Sequence, residues 1–421
     1  MFSNLLTVSA VLSGVLSVLL AILLLLVMIT VHEAGHYFAG KLLRFKINEF
    51  SIGFGPVLFQ HTSKKSGEKF SVRLIPLGGY CAFAGEDELT DDDIAMLKSN
   101  ALDDGFLDEK LTPPMPKVKN LAKPEKEPKN FCEQHPFKRI VVLLSGAFMN
   151  YLLALLVIFI SFFCFGQLVL TTYQVAPAEG IASEYCFQDK DIILKADGKD
   201  VFLTTDLMNA VKDKQAGEKV EFYVSRIVNA DTGERAEQSI SVQLRRATDF
   251  ENSADVDRLW EALGIAKKTN DKGEVVLNSQ GSPTYLVYST SYRFGFFKTI
   301  GNGFVYSFRI AGSIFQVLGE LLRGVLGVDS LGGPVTTIGV TSKVLSRGVQ
   351  PFFEIAAYIG VNLAVFNLLP IPALDGSKVV FTAIEWIRGK PIDRKIEAVI
   401  HAVGFLLLLG FAVFVDILQF L

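Results

Sequence analysis

The feature that most constrains this chain is its first 31 residues, which carry no charged side chain and run from Val15 to Thr30 almost wholly as Leu, Val, Ile and Ala. A stretch this apolar spans the roughly 30 Å of bilayer hydrocarbon as a helix, because a helix satisfies its backbone polar groups within itself. A cleaved signal peptide is the weaker reading: there is no basic n-region, the apolar run is too long, and no small-residue cleavage site follows. Further uncharged runs at 140–170, 355–374 and 398–415 each approach or exceed the roughly 18 residues a span needs, so four spans are expected. The stretch 294–327 is apolar as well, but Lys298, Arg309, Glu320 and Arg323 interrupt it. It reads as an amphipathic helix on the membrane surface, with a fifth span as the alternative.

Basic flanks set the orientation. Lys41, Arg44 and Lys46 follow the first span, Lys138 and Arg139 precede the second, and Arg388, Lys390, Arg394 and Lys395 separate the third from the fourth. Positive flanks lie on the cytoplasmic side, which places both termini and the long segment between spans two and three outside the cytoplasm. Half of the 421 residues are hydrophobic, as suits a membrane chain that also carries water-facing structure. The net charge of −3 comes with no basic patch interleaved with aromatics, so there is no signal for nucleic acid. Cys81, Cys132, Cys164 and Cys186 lack the spacing of a disulfide framework or thiolate metal site and read as unpaired.

The polar segments divide the rest. The first span and its motif occupy 1–47, and residues 48–85 alternate as two strands joined by a turn at Ser63 to Gly67, a hairpin beside the membrane. Gly53, Gly55, Gly78 and Gly79 mark sharp bends or close backbone approach. Residues 86–138 form an acidic, proline-bearing cytoplasmic loop, and 139–170 the second span. A small β-rich module follows at 171–247, a connector at 248–293, the amphipathic surface region at 294–350, the third span at 351–387 and the fourth at 396–420.

The chemistry is concentrated in two places. His32-Glu33-Ala34-Gly35-His36 closes the first span, and histidines four apart share a helix face, so both rings can reach one metal ion with Glu33 beside the open position as general base. Two histidines and a glutamate at the end of a span are costly in hydrocarbon unless metal-bound, paired or facing a wet cavity. A catalytic zinc takes three protein ligands and keeps one position open. The best third ligand is Asp375, after the helix-interrupting Pro370 and Pro372 and on the same side of the membrane as the histidines. Zinc suits two histidines and a carboxylate, with iron the alternative. His61, His135 and His401 read as structural.

These residues resemble the site-2 proteases, and more closely the bacterial regulator-of-sigma-E type of intramembrane metalloprotease (RseP). HEAGH at 32–36 is similar to the zinc helix of that family, and NLLPIPALDG at 367–376 to its third-ligand motif. GFGP at 53–56 and RLIPLGGY at 73–80 resemble its membrane-associated β hairpin, SGAFMN at 145–150 its second span, and GGP at 332–334 a further element. The resemblance implies His32, His36 and Asp375 as zinc ligands, Glu33 as base, and Asn367 and Pro372 as residues that position an extended substrate paired with the hairpin as an added strand. VAPAEGIA and DIILKADGKDV resemble a PDZ domain, with Lys190 where a glycine is usual.

The implied fold is an α-helical polytopic membrane protein of about four transmembrane helices, with a membrane-associated β hairpin and an extracytoplasmic PDZ-like β-rich domain. The implied activity is zinc-dependent cleavage within transmembrane segments of membrane proteins such as anti-sigma factors or remnant signal peptides, in the bacterial inner membrane, as a step of regulated intramembrane proteolysis. The PDZ-like region would exclude substrates with bulky ectodomains. The expected partners are transmembrane substrates and the lipid bilayer; the oligomeric state is not legible. A metal transporter with His32, Glu33, His36 and Asp375 along an ion path is one rival, against which no inverted repeat is visible. An adaptor anchored by its membrane part is another, and it leaves the intramembrane His/Glu/Asp set unexplained.

Overall fold

The computed structural model describes residues 2–86, 128–177, 180–277, 282–328, 331–345 and 348–420. The chain is a multi-pass membrane protein. Four of its helices are long and apolar enough to cross a bilayer, over Gly14–Leu42, Pro136–Cys164, Val349–Leu368 and Lys395–Gln419. They belong to α1 (Phe2–Leu42), α2 (Pro136–Cys164), α7 (Val349–Leu368) and α9 (Arg394–Phe420). Outward-facing Leu16, Leu19, Leu23, Leu406 and Leu407 are exposed, as helices solvated by hydrocarbon require. The chain divides into two compact units.

The first unit holds Met1–Leu153, Pro334–Arg347 and Leu363–Asp416. Here α1 crosses α2 at a glycine: a Cβ on Gly35 would collide with the Ser145 carbonyl and with Met149 Cγ. Small residues at such a crossing let two membrane helices approach closely. After α1 the chain forms β1 (Ile47–Thr62) and β2 (Lys69–Phe83), an antiparallel pair that is more folded than a plain hairpin. Phe50, Ser51 and Ile52 pair with Cys81, Tyr80 and Gly79 on one side and with Phe70, Ser71 and Val72 on the other, while Phe59 to Thr62 pair with Val72 to Lys69. Both strands therefore bend back, at Gly53 and Gly55 and at Gly78, all with positive φ.

Arg73 pins this fold: it donates to Ser51 Oγ at 3.0 Å, to the Gly55 carbonyl at 2.9 Å, to Glu49 at 2.9 Å and to Tyr80 Oη at 2.8 Å. The acidic loop expected from 86 lies, over 87–127, outside the described residues. Where the chain returns, Phe131 packs with Phe45 and Phe83, and Arg139 meets Glu385 at 2.6 Å in a buried ion pair. The segment read as one span over 351–387 is two helices, α7 and then α8 (Asp375–Arg388), because the prolines at 370 and 372 cannot continue the helix. Helix α6 (Pro334–Leu345) begins in the GGP element, and Asp416 of α9 accepts the Val335 and Thr336 amides at 3.0 Å each.

The second unit holds Ala154–Gly333, Gly348–Asn362 and Ile417–Leu421. The uncharged run that was expected to span as far as 170 leaves the helix at Cys164 and becomes β3 (Gln167–Thr172). A sheet of order β7-β6-β4-β3-β8 follows, built from β3, β4 (Ile192–Ala196), β6 (Lys219–Asn229), β7 (Glu234–Gln243) and β8 (Val287–Tyr292), with β5 (Lys199–Asp200) beside β4. Helices α3 (Thr204–Val211) and α4 (Val256–Ala262) belong to its core, where Ile193, Leu207, Phe222, Val224 and Leu259 are fully buried. The segment read as a connector thus supplies α4, β8 and the core residues Trp260, Ile265 and Tyr285. Arg226 closes the interior with a two-pronged pair to the buried Asp191, at 2.9 and 2.6 Å.

The interrupted apolar stretch is α5 (Phe296–Leu322), and it is not among the four candidate spans. Its buried side mixes polar and apolar residues: Ile310 and Ile314 are buried, while Asn302 donates to Gln167 at 2.9 Å and Tyr306 to Glu354 at 3.1 Å. Phe296, Phe297, Phe308, Phe315 and Leu322 face outward.

Candidate metal centre

Helix α1 carries His32 and His36 on one face, one turn apart, and both are buried. Asp375 arrives from the far end of the chain. After α7 stops at Leu368, the Leu369 amide bonds back to Phe366, Ile371 to Leu369 and Leu374 to Ile371, a tight loop that ends with Asp375 opening α8. Gly376 is what lets that loop close, because a Cβ there would overlap the backbone of Leu368 and Leu369.

His32 Nε2 and Asp375 Oδ2 lie 2.9 Å apart, His36 Nε2 and Asp375 Oδ2 3.2 Å, and the two Nε2 atoms 3.2 Å. Donors around a tetrahedral zinc at 2.0–2.1 Å are about 3.3 Å from one another, so the observed triangle has the size such an ion needs. Among the described residues this is the one group of three or more His, Cys, Asp or Glu that can hold a metal ion. The supporting contacts suit ligation. His36 Nδ1 donates to the Val142 carbonyl at 2.9 Å, which leaves the Nε2 lone pair for a metal. The amides of Asn150 and Asn367 both stand 3.4 Å from His32 Nδ1. With its oxygen turned inward, either accepts the proton of a ring whose Nε2 lone pair is given to a metal.

Helix α2 forms the wall. Val142, Gly146 and Asn150 recur every four residues on one face, and a Cβ on Gly146 would strike His36 Nε2 and the His32 ring. That absent side chain is the space into which the imidazoles fit. Neither Gly146 nor Asn150 was singled out as a site residue from the sequence, although both lie inside SGAFMN and their spacing was a readable signal.

Glu33 lies within electrostatic reach of His36, His32 and Asp375, and the Cys81 backbone amide of β2 donates to its carboxylate. Gly79 brings that strand close: its Cβ would sit 2.9 Å from the Ser51 carbonyl and 3.4 Å from Glu33 Cγ. Burial, and then the Glu33 carboxylate, push the Cys81 thiol well above its ordinary range, so it stays neutral beside the centre. Of the other predicted residues, Asn367 stands against His32 as above, whereas Pro372 packs against Gly404 of α9. His61 pairs with Phe70 in the folded hairpin, and His135 stacks edgewise on Trp386; neither joins the cluster. His401 receives the Ala373 amide.

Comparison with known proteins agrees with this chemistry. The sequence profile of Peptidase family M50 matches residues 20–411. A protein of Rhizobium meliloti named as a zinc metalloprotease is 26% identical over 387 residues, covering 92% of this chain and 91% of its own length. The zinc metalloprotease RasP of Geobacillus kaustophilus is 27% identical over 424 residues, covering 90% and 91%. Its namesake in Shouchella clausii is 26% identical over 429 residues, covering 90% and 93%.

Proposed function

This chain belongs to peptidase family M50, the site-2 protease family, and is a zinc metallopeptidase; we propose that it cuts transmembrane segments of membrane proteins at the centre formed by His32, His36 and Asp375. The observation that carries the reading is the convergence of those three donors, from α1 and from the α7–α8 loop, within 3.2 Å of one another next to Glu33. In this reading the three side chains hold the zinc. The ion supplies Lewis acidity when bound, polarising a peptide carbonyl and acidifying water.

The remaining steps belong to the chain's own groups. Glu33 takes the proton of the attacking water and returns it to the departing amine. The Cys81 amide holds the Glu33 carboxylate in place for both transfers. Val142 and the Asn150 and Asn367 amides fix the two imidazole rings, so the donor triangle does not reorganise during the reaction. The strand edge at Gly79 to Phe83 accepts the unwound substrate as an added strand, with Asn367 and Pro372 as the residues that help to position it.

The proposed substrates are anti-sigma factors or remnant signal peptides in a bacterial inner membrane, cut as part of regulated intramembrane proteolysis. The β-rich module is proposed to lie outside the cytoplasm as a PDZ-like filter that turns away bulky ectodomains. The deciding experiment is cleavage of a single-span substrate by purified protein, with bound zinc quantified for the wild type and Glu33→Gln. A wild type that cuts, together with a variant that keeps about one zinc and does not cut, is the expected result. A wild type that binds no zinc removes the metal centre, and one that binds zinc but cuts no membrane segment while hydrolysing soluble peptides removes the intramembrane substrate.

A further inference from the structure

The loop that presents Asp375 is bent against its own preference. Ala373, two residues before the carboxylate, has φ of 77°, the left-handed region that a residue with a Cβ rarely enters unless its surroundings hold it there. Two features of α9 face this turn. The Ala373 amide donates to His401 Nδ1 at 3.0 Å, and Gly404, one turn further along, makes room for Pro372, whose backbone and Cβ a side chain at 404 would overlap. His401 is itself held by the edge of the Phe381 ring at 5.6 Å, and Glu397 Oε1 lies 3.9 Å from its Nε2. Accepting at Nδ1 puts the ring proton on Nε2, directed to the Glu397 side.

We propose that His401 is a positioning residue of the metal centre: its Nδ1 holds the Ala373 amide, fixes the left-handed turn and so delivers Asp375 to the two histidines. The proposal rests on the reading of Asp375 as a zinc ligand. It asks one thing of residue 401, an acceptor at the place of Nδ1, and makes the strain at Ala373 the quantity that acceptor opposes. Substitution by alanine is a poor probe, because His401 and Ala373 both border a cavity of about 690 Å³ from which water can replace the lost acceptor. Leucine fills the space without accepting. Asparagine sets its amide oxygen near the place of Nδ1, whereas glutamine carries it one carbon further, toward the place of Nε2.

The test is zinc retention by the full-length protein against a graded chelator, for the wild type, His401→Leu, His401→Asn, His401→Gln, Ala373→Gly and the double variant His401→Leu/Ala373→Gly. His401→Leu and His401→Gln are expected to lose zinc about 10–100-fold more readily, as changes behind a metal ligand do. His401→Asn should match the wild type. Ala373→Gly should be neutral alone and should recover most of the loss in the double variant, since glycine adopts the turn unaided. Retention in His401→Leu equal to that of the wild type overturns the proposal, as does equal impairment of the Asn and Gln variants. A wild type that holds no zinc instead removes Asp375 as a ligand, and this role of His401 with it.

Discussion

The substitution Gly146→Ala adds one methyl group to α2, and the structure gives its consequence. The new Cβ would stand 2.7 Å from His32 Cε1 and 2.8 Å from His32 Nε2, and closer still to His36 Nε2, where ordinary contact begins at 3.4 Å. The His32 ring must therefore retreat by about 0.6–0.7 Å and the His36 ring by more, roughly three times the ±0.2 Å to which metal–ligand distances are held. Both rings are buried and fixed from behind, His36 by Val142 and His32 by Asn150 and Asn367, so neither has a free path of retreat. Zinc retention should fall at least about 100-fold, near 2.7 kcal/mol, the upper end of what is lost when the support of a ligand is removed.

Helix α2 itself should not suffer, because alanine is the better helix former by about 0.8–1 kcal/mol. The expected outcome is a protein with wild-type far-ultraviolet circular dichroism, little bound zinc and no cleavage. Gly410→Ala in α9, where nothing stands within 4 Å of the added Cβ, is the matched control and should behave as the wild type. A Gly146→Ala protein that holds one zinc with wild-type resistance to chelator would show that the donor triangle does not sit where described.

Four further outcomes are expected. Glu33→Gln should keep its zinc and lose at least about 10²–10⁴-fold in cleavage rate, measured on a fluorogenic single-span substrate. Asp375→Asn should lose zinc by chelator titration, and dialysis against excess zinc should restore activity only in so far as it restores bound metal. Arg139→Ala strands Glu385, its partner at 2.6 Å, and should destabilise the first unit by about 3–5 kcal/mol in detergent unfolding, with much of the loss recovered in Arg139→Ala/Glu385→Ala. The Tyr292 hydroxyl of β8, ahead of the Tyr223 hydroxyl of β6, holds the carboxyl of Glu237 in β7 below the ordinary glutamate range, although burial opposes it. A depressed carboxyl stabilises above its unfolded pKa and loses that contribution as pH falls through the folded one, so Glu237→Gln should flatten the acid limb of a melting-temperature profile and lower the neutral plateau.

Much of the membrane part was legible because hydrocarbon is an unforgiving solvent: an uncharged run of sufficient length has few fates, and α1, α2, α7 and α9 lie on the four such runs. The boundaries were less legible. The second run kept its apolar composition past Cys164 and yet turned into β3, because an interior strand of a sheet is as apolar as a membrane helix. The same ambiguity hid α4 in the segment 248–293, where short strands were legible around Leu263 to Ala266 and Tyr285 to Ser289, the latter overlapping β8, but no helical period was sustained.

At the candidate centre, covalent spacing alone put His32, Glu33 and His36 on adjacent positions of one helical turn, since 3.6 residues per turn leaves no other arrangement. It also put Asp375 after a proline-broken helix. What the sequence could not contain is the 2.9 Å between His32 and Asp375, 343 residues apart, or the use of a missing side chain at Gly146 as the wall behind the imidazoles. Nor could it show that Cys81 would offer its backbone amide to Glu33, a group every residue but proline carries and no residue letter records. The sequence by itself determined the chemistry of each helix end, because that depends on neighbours in the chain. The tertiary structure decided which of those ends meet, because that depends on the close packing of glycines and the folding back of loops, whose information is spread over the whole chain.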